Sequence, residues 1–386
     1  MNSDIDLFSC FTEDKKFGYY SAGDKIFFNR IDALVHHQQT GVFPDWKFHD
    51  DVFGLYDWTT EPIESLKQLY LKRAQQLRDK YDYIVLFFSG GADSTNVLDT
   101  FVNNNIHLDE IATYHNAGTA KSLSSPLLRE LEWATYPYIK KILKSHPTIK
   151  YRTIDLSSLQ YQLLNNTTSD DLAQVFKKTS DRLAPYDLPT VKKWALSADY
   201  AKIVESGKKI CFLYGIDKPR VHQVNGRYCV RFMNTFSSYA VSGANDPTEF
   251  FYWSPDLPEL IIKQAHVIKQ YMERADRGSP YITDKTTGLA CATVNDQQIW
   301  LTSHGVHALL YPTWDGNTYT GGKEPFIFYE RDTWFFQLPD DDPAKKVWSQ
   351  ALKQHLATVP DYWKNDSADV FKGIKQQYSR DYWLEK

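Results

Sequence analysis

The chain is poor in the residues that build metal knuckles, disulfide frameworks and membrane spans. Its four cysteines, Cys10, Cys211, Cys229 and Cys291, are scattered over 386 residues with no C-x-x-C pair. That excludes a cysteine-built zinc knuckle, an iron–sulfur cluster and a disulfide scaffold, and points to a reducing, cytoplasmic setting. Nowhere does an apolar run reach the roughly 18 residues that a membrane helix needs. The start, Met1 to Asp6, carries two acids and no apolar stretch, so neither secretion nor membrane spanning is expected. There is no excess of either charge: 44 Lys plus Arg face 48 Asp plus Glu, a net charge of −4, so no global field draws the chain to nucleic acid or an anionic membrane. Glycine (18) and proline (17) are too few for a low-complexity or collagen-like chain. What is abundant is aromatic: 25 Tyr, 22 Phe and 11 Trp, 15% of the sequence, beside only 3 Met.

Hydrophobic periodicity predicts the element order. Lys16 to Asn29 reads as two short strands joined by a turn, followed by a helix over 30–39 that Gly41 closes. A further helix is expected to start at Thr60 as N-cap, with Glu61 and Pro62 in its first turn and Ile63, Leu66, Leu69 and Leu77 on its apolar face. Ile84 to Phe88 is a continuous apolar run, the mark of a strand buried on both faces. Helical spacing resumes from Thr95 to Asn103. Strands at 110–114, 150–156 and 209–214 then alternate with helices at 125–145 and 191–206. That alternation implies right-handed βαβ crossovers and a doubly wound α/β sheet. Further on, a strand at 228–232 and a helix at 257–274 are expected. Short strands at 298–302, 308–311, 325–329 and 333–337 should follow, then two closing helices at 343–357 and 366–384.

The chemistry concentrates where the buried run ends, in Ser89-Gly90-Gly91-Ala92-Asp93-Ser94. A strand running through two glycines into a helix gathers backbone N–H groups and the positive end of a helix dipole around an anion-sized space. Ser89 and Ser94 add hydroxyl donors. Asp93 would repel a phosphate unless a cation intervened, so its natural work is to hold Mg²⁺ against the phosphates. This segment resembles the PP-loop of the ATP pyrophosphatase (adenine nucleotide alpha-hydrolase-like) superfamily, whose pattern S-G-G-x-D-S it matches at every fixed position. No Lys stands where the P-loop G-x-x-x-x-G-K-[ST] requires one.

The resemblance covers Tyr81 to Arg220 and implies a HUP/PP-loop type of doubly wound, mostly parallel sheet, ATP and Mg²⁺ as cofactors, and cleavage of ATP to AMP and pyrophosphate with adenylation of a substrate. It implies nucleotide contacts from Ser89, Gly90, Gly91, Ala92, Ser94 and Thr95, a metal on Asp93, and adenine recognition near His115 and Asn116 at the end of the second strand. The fourth strand ends in Gly215-Ile216-Asp217-Lys218-Pro219-Arg220. Lys218 and Arg220 there could neutralise departing pyrophosphate, or the segment could be a solvated turn.

Within the superfamily the scattered cysteines suit neither the sulfur-inserting enzymes nor the zinc-bearing members. The nearest likeness is the synthetase domain of asparagine synthetase, without a glutaminase, since Asn rather than Cys follows Met1. The loop Ser242 to Asp246 weakly resembles that group's second acidic loop, which makes Asp246 a second metal candidate.

Glu249 to Asp256 packs four aromatics, Phe250 to Trp253, ahead of a helix carrying Lys263 and His266. Core packing is the leading reading of these aromatics, and a stacking wall that excludes water from an adenylate is the alternative. His304 and His307 have no third ligand nearby in sequence, which argues against zinc.

The expected organisation is an N-terminal β-containing segment (1–60), a PP-loop domain (61–275) and a mixed α+β C-terminal region (276–386) bearing on substrate specificity. The expected activity is ATP-dependent adenylation that forms an amide or related C–N bond on a small-molecule or nucleotide substrate. Modification of a nucleobase and a non-catalytic nucleotide-binding protein are the alternatives.

Overall fold

The computed structural model describes residues 13–115, 131–178, 200–216, 218–234, 247–275, 288–294, 297–315, 333–364 and 377–386. Near the N-terminus, β1 (Tyr19–Ala22), β2 (Lys25–Phe27) and β3 (Asp45–Lys47) form an antiparallel sheet in the order β2-β1-β3. The helix Arg30–Thr40 joins β2 to β3. Asn29 caps its start by accepting from the Asp32 N–H at 2.8 Å, and Gly41 ends it at φ 76°, a left-handed conformation that suits a residue without Cβ.

The central sheet contains β4 (Tyr83–Phe87), β5 (Glu110–His115), β6 (Lys150–Asp155), β7 (Ile210–Tyr214) and, beyond the hairpin of β8 (Val221–Val224) and β9 (Arg227–Val230), β10 (Thr248–Phe250). Its order is β10-β7-β4-β5-β6 and every pairing is parallel. β4 and β7 are buried at all five positions, as continuous apolar runs in a parallel sheet should be. The crossovers carry the helices Ala92–Asn103, Tyr136–Ser145, Ser157–Asn165 and Ser169–Lys178. The architecture is therefore α/β, and the order is compatible with double winding: the chain moves outward one way from β4 through β5 to β6, then returns to β7 on the other side. The reversal falls between β4 and β7, where open α/β sheets place their ligand crevice.

A second sheet has the order β12-β11-β8-β9-β13, with β11 (Gly288–Val294), β12 (Gln297–Thr302) and β13 (Tyr382–Trp383). Strands from both sides of residue 275 thus share one sheet, and β13 closes it by pairing Tyr382 with Val230 and Trp383 with Cys229. The aromatics explain how the parts are joined. Phe53 stacks on Phe232 at 4.7 Å, Trp58 lies 4.7 Å from Tyr382, and Phe232 meets Phe48 at 5.1 Å and Trp253 at 5.2 Å. N-terminal segment, second sheet and central domain therefore share one ring-lined core, in which each ring pair adds about 0.5–1.5 kcal/mol beyond burial.

Several expectations change. The helix after residue 60 is Leu66–Lys80, capped by Ser65 with Gln68 in a reciprocal capping box, while Thr60 instead donates to Asp57 at 2.7 Å. Ile63 is 99% exposed, so it belongs to no apolar face. Residues 308–311 do not form a strand, because Ser303–Leu310 is a helix whose Val306 and Leu310 are buried. Residues 333–336 are a helical turn from which Phe335 and Phe336 pack on Trp348 at 5.7 and 5.5 Å. The closing helix does not extend to residue 384, since pairing with β9 holds that stretch extended. The strand expected at 325–329 lies outside the described residues. Among them, no helix is long and apolar enough to cross a membrane.

Candidate functional site

The site is built by three consecutive local choices in the sequence. β4 delivers the chain to the carboxyl edge of the sheet, Gly90 turns it at φ 80°, and Gly91 starts the helix Ala92–Asn103 without any side-chain cap. The first-turn N–H groups of that helix are thus left to whatever occupies the space in front of them. Both glycines of the two strand ends are required by close packing. A Cβ on Gly90 would fall 2.4 Å from the Thr135 hydroxyl, and one on Gly215 would fall 3.0 Å from the Ser94 Cα. The loop is braced from within: the Ser94 hydroxyl donates to the Gly91 carbonyl at 3.1 Å, the Gly91 N–H donates to the Ser89 hydroxyl at 3.3 Å, and Thr135 donates to the Ser89 carbonyl at 2.9 Å. Ser89 is exposed, while Gly90, Gly91, Ala92 and Ser94 are buried and Thr95 is half-buried.

Asp93 is the centre of the site. Lys218 sets its ammonium 3.2 Å from both carboxylate oxygens, and Tyr311 donates its hydroxyl to Oδ1. The Asp93 backbone carbonyl accepts from Tyr252 at 2.9 Å, and Asn96 donates to that same Tyr252 oxygen at 2.9 Å. Lys218 is buried, whereas the Asp93 side chain keeps 21% of its surface open. Burial first and the Asp93 charge second hold the Tyr311 hydroxyl well above its ordinary titration range, so Tyr311 is a donor at neutral pH. Arg220 is not among the side chains that meet Asp93: it stands just before β8 of the second sheet, where its charge acts on His222, and its Nε is buried without a hydrogen-bond partner among the described residues.

His115 ends β5. Burial lowers its pKa, an effect the Asp155 carboxylate at 3.8 Å from Nδ1 partly offsets. Asn116 and Asp246 lie outside the described residues.

The sequence-derived residues Ser89 to Thr95, Gly215 and Lys218 therefore come together around one space. Phe250 to Trp253 do not form a substrate wall: all four are buried core rings, and only Tyr252 reaches the site, through its hydroxyl. His266 is tied to the Trp58 carbonyl at 2.9 Å, and Lys263 to the Pro62 carbonyl at 2.9 Å and Glu61 at 2.7 Å. Neither is placed for acid–base work. His307 is buried, stacked on Tyr311 at 5.6 Å and edge-on to Trp314 at 4.8 Å. Among the described residues no three His, Cys, Asp or Glu side chains cluster as a metal cage. A single partly open carboxylate beside an uncapped helix end and the Lys218 ammonium is a poor cage for a bare ion, but it suits Mg²⁺ that arrives on phosphates and keeps several waters.

Tyr311, Tyr252 and Thr135 were not foreseen as site residues. Each reaches Asp93 or Ser89 across a sequence separation of 46 to 218 residues, and no local pattern marks such contacts. No protein-family model matches the chain, and comparison with curated proteins likewise returns no match.

Proposed function

We propose that the protein is an ATP-dependent, Mg²⁺-requiring adenylating enzyme of the HUP/PP-loop type that releases pyrophosphate and forms an amide or related C–N bond. The observation that carries this reading is the uncapped helix end behind Gly90 and Gly91, with the partly exposed Asp93 carboxylate and its Lys218 partner at the point where strand order reverses. In the reaction, a substrate carboxylate oxygen would attack the α-phosphorus of ATP. The bond from that phosphorus to the bridging oxygen would break, and pyrophosphate would leave with the electron pair. An amine would then attack the acyl carbon, losing a proton as AMP departs. Mg²⁺, when bound, supplies charge neutralisation of the phosphates.

The chain's own part is to position and to stabilise. Backbone N–H groups of the loop meet phosphate oxygens, and Lys218 can leave Asp93 for the developing charge on pyrophosphate, a stabilisation that counts most in the transition state. A nucleotide-binding protein without turnover is the second reading, favoured by the Asp93 to Lys218 ion pair, which already satisfies the carboxylate.

Incubation with Mg²⁺, ATP and a panel of carboxylates and amines separates the two. The enzyme reading expects AMP and pyrophosphate in equal amounts, with Asp93→Asn, which keeps an oxygen for Lys218 and Tyr311, reducing their formation by at least a thousandfold while the variant stays folded by circular dichroism. Unchanged turnover in that variant would remove Asp93 from the mechanism, and ATP binding without AMP formation would favour the second reading.

A further inference from the structure

A cleft of about 340 Å³ runs along the helix Ala92–Asn103, walled by Thr95, Asn96 and Asp99 of that helix, Tyr138 and Lys141 of the helix Tyr136–Ser145, and Trp314. Its size falls within the range of small-ligand sites. Asp99 is its unusual member. It is only 7% exposed, and its oxygens accept from two hydroxyls, Tyr138 on Oδ1 and Thr313 on Oδ2 at 2.7 Å. No cation among the described residues pairs with it. Lys141 lines the same cleft but lies over the Tyr138 ring, 5.7 Å from its centre, not on the carboxylate.

Other carboxylates with equally low exposure are treated differently. Glu249 is met by Arg73 and Lys80, and Glu110 by Arg152. A buried carboxylate normally needs a countercharge to offset its desolvation, and hydroxyls leave the net charge uncancelled. Two of roughly four acceptor positions on Asp99 remain for another donor. The indole of Trp314 on the cleft wall adds an aromatic surface of the kind that attracts cations.

We propose that this cleft binds a small organic ammonium compound, with Asp99 as the group that holds its ammonium. The cleft also reaches the phosphate loop, since Ala92 and Tyr311 line its near end and Tyr311 donates to Asp93. Ala92 and Asp99 stand seven residues apart on one face of the helix, about 10 Å along it, and both line the cleft, so a ligand anchored at Asp99 can extend toward the loop. Its identity as the acceptor substrate rests on the adenylating activity proposed above; ammonium binding itself does not.

Calorimetry on the full chain without nucleotide, using n-butylamine, benzylamine and their N-acetyl derivatives as probes, tests the site. Both amines are expected to bind at least tenfold more tightly than the uncharged amides, and Asp99→Asn should weaken amine binding at least tenfold. Equal affinity for amine and amide, no binding by either amine, or unchanged amine binding in Asp99→Asn would overturn the proposal. The comparison of amine with amide uses the wild-type protein, so it stands even if Asp99→Asn does not fold. AMP formation is measured separately: amine binding without AMP keeps this site and removes the activity, and AMP without amine binding does the reverse.

Discussion

The two edges of the central sheet handle carboxylates in opposite ways. At the amino edge, Glu110 opens β5 with 1% of its surface exposed, and accepts from Tyr83 at 2.8 Å, Tyr200 at 2.8 Å and the Arg152 Nε at 2.9 Å. Every partner is supplied by the fold, and nothing is left to exchange. At the carboxyl edge, Asp93 keeps an open face, leans on one lysine and one tyrosine, and sits beside helix N–H groups with no side-chain cap. The first arrangement is what a structural carboxylate needs. The second is what a carboxylate needs if a cation and phosphates are to replace its present partners.

Substitution at the amino edge is the strongest way to break this contrast. Glu110→Ala strands two tyrosine hydroxyls and a guanidinium around an emptied position, and loss of one partner in a buried ionic cluster costs about 3–5 kcal/mol. Urea unfolding should show that loss, whereas Asp93→Asn, which keeps a side-chain oxygen for Lys218 and Tyr311 at a partly open position, should move the same midpoint less. Equal destabilisation by the two variants would erase the distinction between fixed and exchangeable carboxylates.

Acid pH gives a second, smaller test on another fixed carboxylate. Glu249 on β10 receives Arg73 at 3.0 Å, Lys80 at 2.9 Å and Tyr81 at 2.5 Å. Burial alone would raise its pKa, but the charge of Arg73, then Lys16, and the bonds from Tyr81 and Lys80 bring it down to about 2. The folded-state value is thus depressed below the ordinary 4.5. The contribution is complete above about pH 4.5, where both states are ionised. It is lost as pH falls toward 2, because the unfolded chain takes up the proton first. The acid limb should carry about 3 kcal/mol from this group at roughly 1.4 kcal/mol per pH unit, measured as stability against pH in wild type and Glu249→Gln. An identical slope in both proteins would contradict the assignment.

Much of the central sheet was legible because its signals are local. The apolar run at Ile84 to Phe88, the glycines that follow and the return of helical spacing each report on their own neighbourhood, and parallel strands buried on both faces need no partner to be recognised. The loop at Ser89 to Ser94 was legible for the same reason. Beyond residue 275 the strand expected at 298–302 and the helix at 343–357 were legible in the same way and form as Gln297–Thr302 and Pro343–Thr358, whereas the elements around Tyr311 and Tyr382 were not, because they are decided by distant partners. Tyr382 and Trp383 lie in a β-competent stretch that became a strand only because β9 offered an open edge. Tyr311 follows a helix set by packing of Val306 and Leu310, and its place on Asp93 depends on a contact 218 residues away. Aromatic composition announced a thick core but not its location. The rings of Phe48, Phe53, Trp58, Phe232, Trp253 and Tyr382 come from four separate stretches of chain and meet only in the folded protein.

The finest test of the contrast is the single oxygen of Tyr311. If Asp93 is an exchangeable carboxylate, the Tyr311 hydroxyl competes with any cation that approaches Oδ1, and its removal should ease that approach. Tyr311→Phe keeps the ring against His307 at 5.6 Å and Tyr252 at 6.1 Å, so the melting temperature should change by no more than about 1–2 °C, the shift expected for about 1 kcal/mol in a chain of this size. Titration of Mn²⁺ with a non-hydrolysable ATP analogue, followed by electron paramagnetic resonance, should show binding tightened about threefold, the part of a charge-assisted hydrogen bond that a cation must displace. Weaker binding in Tyr311→Phe would mean that the hydroxyl orients the carboxylate for the metal, and would move Tyr311 from competitor to positioning residue. Unchanged binding would detach the C-terminal region from the phosphate loop and leave Lys218 as the one partner that a cation displaces.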